Sequence, residues 1–482
     1  MRLIEIKGDI NMNKTANKII SVLLAAAFIA GVCIPAFAVK TRQPGIPAIN
    51  VDGIATREIY LNPGAADEKQ VFYPTSDDLK NTLKGLVLPV GRFLFDRNWK
   101  AFGDSFIAQA ENMFNPIACN PDGTSKYNVS IRKDWSIPAG YNFDRTLSFH
   151  YDWRLDPMDT AADLHDYIQY LKEKTGCEKV NLIPNSMGGD IASAYLKLYG
   201  TADVNAVVMR SSAFQGVSMV GELFNKKIAV KKEAVLGYVG AFLKDGKQGD
   251  MISFLIAVLD KTGAADMAVS FANTFISHLK DRAYAEVLGD TFAYMPGIWA
   301  LVPDEYYESA KKTMLDPVAN AELIKKIDNY HYNVQSNIND ILKAAIAKGV
   351  TVAVISNYNL YGVPLTENAD FQTDYLIDTK YTSGGAFCAP LGKTLPNGYK
   401  QAVACGHNHI SPDRIIDAST CMFPEYTWFV KGMIHTNFND DYDRLVQWIL
   451  NYDGQPDVFD NAEYPQFLQL NKTEDTLSPV VS

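Results

Sequence analysis

Residues 180–189 read V-N-L-I-P-N-S-M-G-G, and this stretch decides the fold. Val180 and Leu182 alternate with a polar residue as on a strand, and the chain then enters a turn of small residues at Ser186. A helical pattern begins at Gly188, with Ile191, Ala194, Tyr195 and Leu198 on one face and Gly200 as its stop. Strand, tight turn and helix follow one another within twenty-one residues.

The same alternation continues in both directions. Upstream, Thr146 to Tyr151 reads as a strand, and Asp156-Pro157 opens a helix with Leu164, Tyr167, Ile168 and Leu171 on one face and Gly176 at its end. Downstream lies a strand from Val204 to Met209. A helix over Ile338 to Lys348, stopped by Gly349, then leads into a strand from Val350 to Ile355. Strands alternating with amphipathic helices specify an α/β protein with a mainly parallel sheet and helices on both faces. Residues 46–54 read as a further strand ending in a loop. Helical periodicity runs from Asp77 to Asn115, with a turn at Pro89-Val90-Gly91, and polar turn chemistry fills Cys119 to Tyr141.

Between the strands at 204 and 350, residues 217–340 carry an almost unbroken helical pattern containing Phe224, Leu236, Phe242, Phe254, Leu255, Phe271, Phe275 and Ile276. An insertion of this size in a sheet protein reads as a cap over one end of the sheet; a separate helical domain is the alternative. The expected division is a leader (1–38), the first part of the α/β core (39–216), the helical cap (217–340), the second part of the core (341–455) and a flexible tail (456–482), polar and dotted with prolines.

The chain has 482 residues, 47% of them hydrophobic and 21% charged, and a formal net charge of −10 that argues against a nucleic-acid partner. Lys14 and Lys18 precede an apolar run from Ile19 to Ala30, and Ala36-Phe37-Ala38 supplies a cleavage site after Ala38; Met12 is a second candidate start. An uncleaved anchor over Ile19 to Ala38 is the rival reading, but Pro35 and the Ala-Phe-Ala site fit cleavage better, which makes the mature chain a secreted one. A lipid anchor on Cys33 fits less well, because Val32 stands where a small residue is wanted. Export permits a disulfide among Cys119, Cys177, Cys388, Cys405 and Cys421. Their spacing matches no zinc pattern, and His407-Asn408-His409 lacks the ligands that would complete a metal site, so neither metal nor cofactor is expected.

A serine on a tight turn between strand and helix has its hydroxyl lifted from the sheet and set beside a helix N-terminus, the context of a nucleophile. Such a serine needs an imidazole base, and the base needs a carboxylate that fixes its tautomer. In sheet enzymes of this order the acid and then the base follow on loops after later strands. His435 fits the base: it follows a strand-like run at Thr427 to Val430 and Gly432, and precedes a helix with Tyr442, Leu445, Val446 and Ile449 on one face. Two acids compete, Asp374 in T-D-Y-L-I-D-T and Asp413 in P-D-R-I-I-D-A-S-T; Asp374 is favoured because it follows the 350–355 strand most directly. Backbone N–H groups must also face a developing oxyanion, and the amides of Met187 and of Ile54, beyond the turn at Gly53, are the expected donors.

These residues carry a resemblance. H-Y-D-W-R-L-D-P (150–157), L-I-P-N-S-M-G-G (182–189), S-A-F-Q-G-V-S (212–218), M-P-G-I-W-A-L-V-P (295–303) and His435 together resemble the lecithin:cholesterol acyltransferase-like group of α/β-hydrolases, over most of residues 46–452. The resemblance implies an α/β-hydrolase fold, a mobile cap, a lipid or other ester substrate and contact with membranes or lipid aggregates. It also implies acyl transfer to water or an alcohol through Ser186, His435 and an aspartate, with Ile54 and Met187 as oxyanion donors. Pro184, Asn185 and the D-G-I-A-T loop (52–56) depart from that group's pattern. They keep open a second class, a catalytically degenerate lipid- or envelope-binding protein with the same fold. A third keeps the serine and changes the bond to an amide or a cell-wall ester.

Overall fold

The computed structural model describes residues 45–481 except 73–87, 90–91, 94, 134, 144, 238–262, 369 and 436–437. The leader expected over 1–38 lies outside the described residues. In chain order the strands are β1 Ala48–Val51, β2 Ile59–Leu61, β3 Lys69–Phe72, β4 Val129–Ser130, β5 Leu147–Phe149, β6 Val180–Ser186 and β7 Val204–Ser212, followed by β8 Thr351–Tyr358, β9 Phe387–Cys388, β10 Ile416–Asp417, β11 Thr427–Lys431, β12 Phe467–Asn471 and β13 Thr476–Pro479. Eight of them form one sheet in the order β13-β12-β11-β8-β7-β6-β1-β5, parallel throughout except for the β12–β13 pair.

Period-two alternation sends successive strand residues to opposite faces of the sheet. Ile49, Val51, Leu182, Val207, Met209, Val352 and Val354 face one cluster, while Ala48, Ile183, Ala206, Val208, Ala353, Ile355 and Val430 face the other. The first face is covered by α2 (Pro157–Thr175) and α3 (Gly188–Tyr199), named after α1 (Trp99–Phe114), through Leu164, Ile168, Leu171, Ile191 and Tyr195. The second face is covered by the last helix (Asp440–Asn451) through Tyr442, Leu445, Val446 and Ile449. Local signals set the ends of α2: the Asp156 side chain accepts from the Met158 N–H, Pro157 takes the first turn, and Gly176 closes the helix at φ 71°.

Between β7 and β8 run α4 (Ser218–Phe224), α5 (Ala264–Ala283), a π-helical turn (Tyr284–Phe292), α6 (Pro296–Ala300), α7 (Asp304–Met314), α8 (Ala321–Asn333) and α9 (Ile338–Ala347). Trp299, Tyr307 and Phe224 from this excursion belong to the same buried cluster as Ile49 and Met187, so the inserted helices are continuous with the sheet core. Helix α1, grouped by sequence with the first part of the core, packs instead on α5: Trp99 stacks on His278 at 4.7 Å and Phe102 meets Phe275 at 5.3 Å.

The tail differs from expectation. Rather than fraying, residues 467–479 add β12 and β13 to the sheet, with Phe467, Leu468 and Val480 buried. Phe429 stacks on Phe467 at 5.6 Å, an apolar contact that outweighs the polar composition around it. Among the described residues no cysteine is paired: Cys119, Cys177, Cys388, Cys405 and Cys421 are all free thiols.

Candidate functional site

Ser186 is the last residue of β6 and has φ 54°, a left-handed conformation that costs a residue with a side chain about 1 kcal/mol or more. The turn closes because its neighbours lack side chains. A Cβ on Gly188 would lie 2.0 Å from the Val51 carbonyl oxygen, and one on Gly189 would lie 2.6 Å from Ser212 Cβ. One on Gly53 would lie 2.8 Å from Ser186 Cβ and 3.2 Å from its Oγ, so the loop after β1 rests directly on the serine. Pro184 sits mid-strand opposite Val51, and its carbonyl accepts from Ser212 Oγ at 2.8 Å. Ala213 N–H donates to the Ser186 carbonyl at 2.8 Å, tying the turn to the end of β7.

His435 follows β11 and is buried. Its Nδ1 meets Asp374 Oδ2 at 2.8 Å, and its backbone N–H donates to the Asp374 carbonyl at 2.9 Å. Asp374, on the loop after β8, is fully buried, and its Oδ1 accepts from the N–H groups of Leu376 (3.1 Å) and Ile377 (2.8 Å). These bonds hold the carboxylate with its second oxygen turned to the imidazole, leaving Nε2 as the ring atom that can face a reacting group. Because β6, β8 and β11 are parallel, Ser186 and the loops bearing Asp374 and His435 all leave the same, carboxyl-terminal edge of the sheet.

Asp413, the competing acid, is placed elsewhere. It pairs with Lys431 Nζ at 2.9 Å and accepts from Tyr358 Oη at 3.0 Å and Ser411 Oγ at 2.7 Å, a structural knot behind β11. Of the two expected oxyanion donors, Met187 begins the turn into α3 and Ile54 lies one residue beyond the glycine that touches Ser186. Neither N–H has a hydrogen-bond partner among the described residues.

The remaining histidines are occupied otherwise. His165 stacks on Tyr199 at 4.0 Å, and His331 stacks on Tyr307 at 3.6 Å. His409 is buried with Nδ1 on Gln466 Oε1 at 2.8 Å, and His407 packs on Phe459 at 4.4 Å. Among the described residues, no group of three or more His, Cys, Asp or Glu could hold a metal ion.

Two carboxylates near the site carry no signal in the sequence that marks them. Asp190, in the first turn of α3, reads as an acid favouring a helix N-terminus, but it is fully buried. Burial pushes its carboxyl well above the usual range, and Tyr330 Oη of α8 donates to its Oδ1 at 2.7 Å. Asp52, in the loop over Ser186, is buried against Asn50 and His150. The D-W-R run is a structural anchor: buried Arg154 clasps Asp152 and donates to the carbonyls of Ile117 (2.8 Å) and Val129 (2.9 Å).

Comparison with family models and with curated proteins finds no match. Among solved structures, the chain is similar to one described as the crystal structure of the Tle4–Tli4 complex, at 14% identity and a TM-score of 0.27, covering 65% of this chain and 74% of that one. A likeness of that size carries no argument about the site.

Proposed function

We propose that the protein is a secreted serine hydrolase or O-acyltransferase of the α/β-hydrolase type, related to the lecithin:cholesterol acyltransferase-like group and acting on lipid or other carboxylic esters. The observation that carries this reading is the 2.8 Å contact between His435 Nδ1 and Asp374 Oδ2, on the sheet edge where Ser186 holds its positive-φ turn. A surface histidine at a helix start has no need of a buried, backbone-locked carboxylate. A serine in a strained turn is otherwise a net cost to the fold.

In this reading Ser186 Oγ attacks the ester carbonyl carbon as its proton passes to His435 Nε2. The carbonyl oxygen becomes an oxyanion held by the N–H groups of Met187 and Ile54, each such donor being worth about 3–4 kcal/mol in the transition state. Asp374 keeps the imidazole proton on Nδ1 and stabilises the imidazolium. Collapse breaks the bond to the leaving alkoxide, which takes the proton from His435. Water or a second alcohol then attacks the acyl-serine with its proton passing to the same nitrogen, and Ser186 leaves protonated. The described helices inserted between β7 and β8, α4 to α8, serve in this reading as the cap and supply an apolar surround for the acyl group.

The test is turnover of p-nitrophenyl esters of graded chain length by the purified protein. Hydrolysis abolished in Ser186→Ala and in His435→Ala supports the reading. A folded protein with no turnover on the ester panel favours the binding-protein alternative, and turnover on an amide panel alone changes the bond assigned.

A further inference from the structure

The loop whose Ile54 N–H is assigned to the oxyanion is itself held by an arrangement that spans distant parts of the chain. The Asp52 carboxylate is approached on both oxygens: Asn50 Nδ2 donates to Oδ1, and His150 Nδ1 lies within ion-pair distance of Oδ2 without the angle of a hydrogen bond. Each of these side chains is in turn oriented by an arginine. Arg210 Nη2 donates to Asn50 Oδ1 at 2.8 Å, which leaves the amide nitrogen of Asn50 as the end turned to Asp52. Arg57 Nη2 lies 2.5 Å from His150 Nε2; a guanidinium only donates, so Nε2 accepts and the ring proton sits on Nδ1, the nitrogen beside the carboxylate. Tyr151 Oη donates to the Asp52 carbonyl at 2.8 Å and completes the hold.

From this geometry we propose that His150, fixed in its tautomer by Arg57, is a positioning residue for the oxyanion loop 52–54. Three observations join in the claim. Asp52 is one residue from Gly53, which rests on Ser186, and two from the assigned donor Ile54. The carboxylate is buried, so its direction is set by its partners and not by water. Its partners come from β1 and from the turn after β5, so the loop is clamped between two neighbouring strands. His150 touches no reacting atom; it acts through Asp52. The inference rests on the hydrolase reading above.

The experiment compares wild type, His150→Ala and His150→Asn in the full-length protein, measuring kcat and KM on p-nitrophenyl butyrate and the inhibition constant of an alkyl boronic acid. The boronate forms a tetrahedral adduct on the serine and uses the oxyanion donors. Asparagine places an N–H where the imidazole Nδ1–H was. His150→Ala is expected to lower kcat by about 10–100-fold with KM within about twofold, since a misplacement near 1 Å is enough for such a loss. It should weaken boronate binding in parallel, and His150→Asn should recover kcat to within about threefold of wild type. If His150→Ala does not fold, Arg57→Gln takes its place, with kcat lowered about three- to tenfold and KM unchanged. An alanine variant with wild-type kcat, or an asparagine variant as slow as the alanine one, overturns the assignment while leaving the hydrolase reading intact. Wild type without turnover and without boronate inhibition overturns both.

Discussion

Adding one carbon to Gly188 tests whether the turn at Ser186 is as tightly dictated as its contacts imply. The alanine Cβ would lie 2.0 Å from the Val51 carbonyl oxygen and 2.8 Å from that of Asp52, both backbone atoms that cannot rotate aside. Cβ contacts under 3.0 Å are essentially never seen, so α3 and the end of β1 must separate by about 1 Å. Overpacking of this kind costs about 1–3 kcal/mol of stability. The catalytic cost is larger, because the displaced parts carry Met187 on one side and Gly53-Ile54 on the other. A shift near 1 Å between nucleophile and oxyanion donors is worth about 100-fold in kcat. Steady-state kinetics on a p-nitrophenyl ester, with urea unfolding run beside it, reads both quantities. Gly406→Ala is the control, with no atom within 4 Å of the new carbon and no change expected in either. A Gly188→Ala protein with wild-type kcat would refute the packing argument.

Other expectations concern single carboxyl groups. Asp374→Asn leaves the shape but loses the charge that fixes the His435 tautomer, and should lower kcat by about 10³–10⁴-fold, whereas Asp413→Asn should leave kcat unchanged and cost up to about 1 kcal/mol through Lys431. Equal losses in the two variants would show that the acid is misassigned. Burial raises the Asp156 carboxyl from 3.8 to about 6, so the folded state holds the extra proton between those values. Its contribution to stability is therefore greatest below pH 4 and declines as pH climbs to 6, by up to about 3 kcal/mol. Asp156→Asn keeps the helix cap and removes that decline, so variant and wild type should diverge in urea unfolding between pH 4 and 7; a gap constant with pH contradicts this. Asp190, whose carboxyl burial pushes well above its usual range, should tolerate Asn within about 1 kcal/mol, while Asp190→Ala strands the Tyr330 hydroxyl at a cost of about 1–3 kcal/mol, measured the same way.

What was legible in the chain was whatever is written in consecutive residues. The run from Asp156 to Gly200 places two helices and β6 close to their ends because caps, stops and periodicity lie side by side there. The tail is illegible for the converse reason: β12 and β13 are short, and what holds them is a contact with Phe429 rather than a local pattern. Strands β2, β3 and β4 are hidden likewise, two to four residues each, with β4 pairing to β2 across nearly seventy positions. Asp374 and Asp413 share one local pattern, acid followed by any residue and two apolar ones, so only the tertiary path separates a carboxylate on His435 from one on Lys431. The partnership of Asp52 with His150 spans 98 positions and leaves no trace at either end.

The central claim is that Ser186 is a nucleophile activated by His435 and Asp374. Incubation of the folded protein with a fluorophosphonate, followed by digestion and mass spectrometry, measures this most directly. The account predicts one adduct, on the peptide containing Ser186, absent from Ser186→Ala and strongly slowed in His435→Ala. No adduct on folded wild type, or equal labelling after Ser186→Ala, would contradict it.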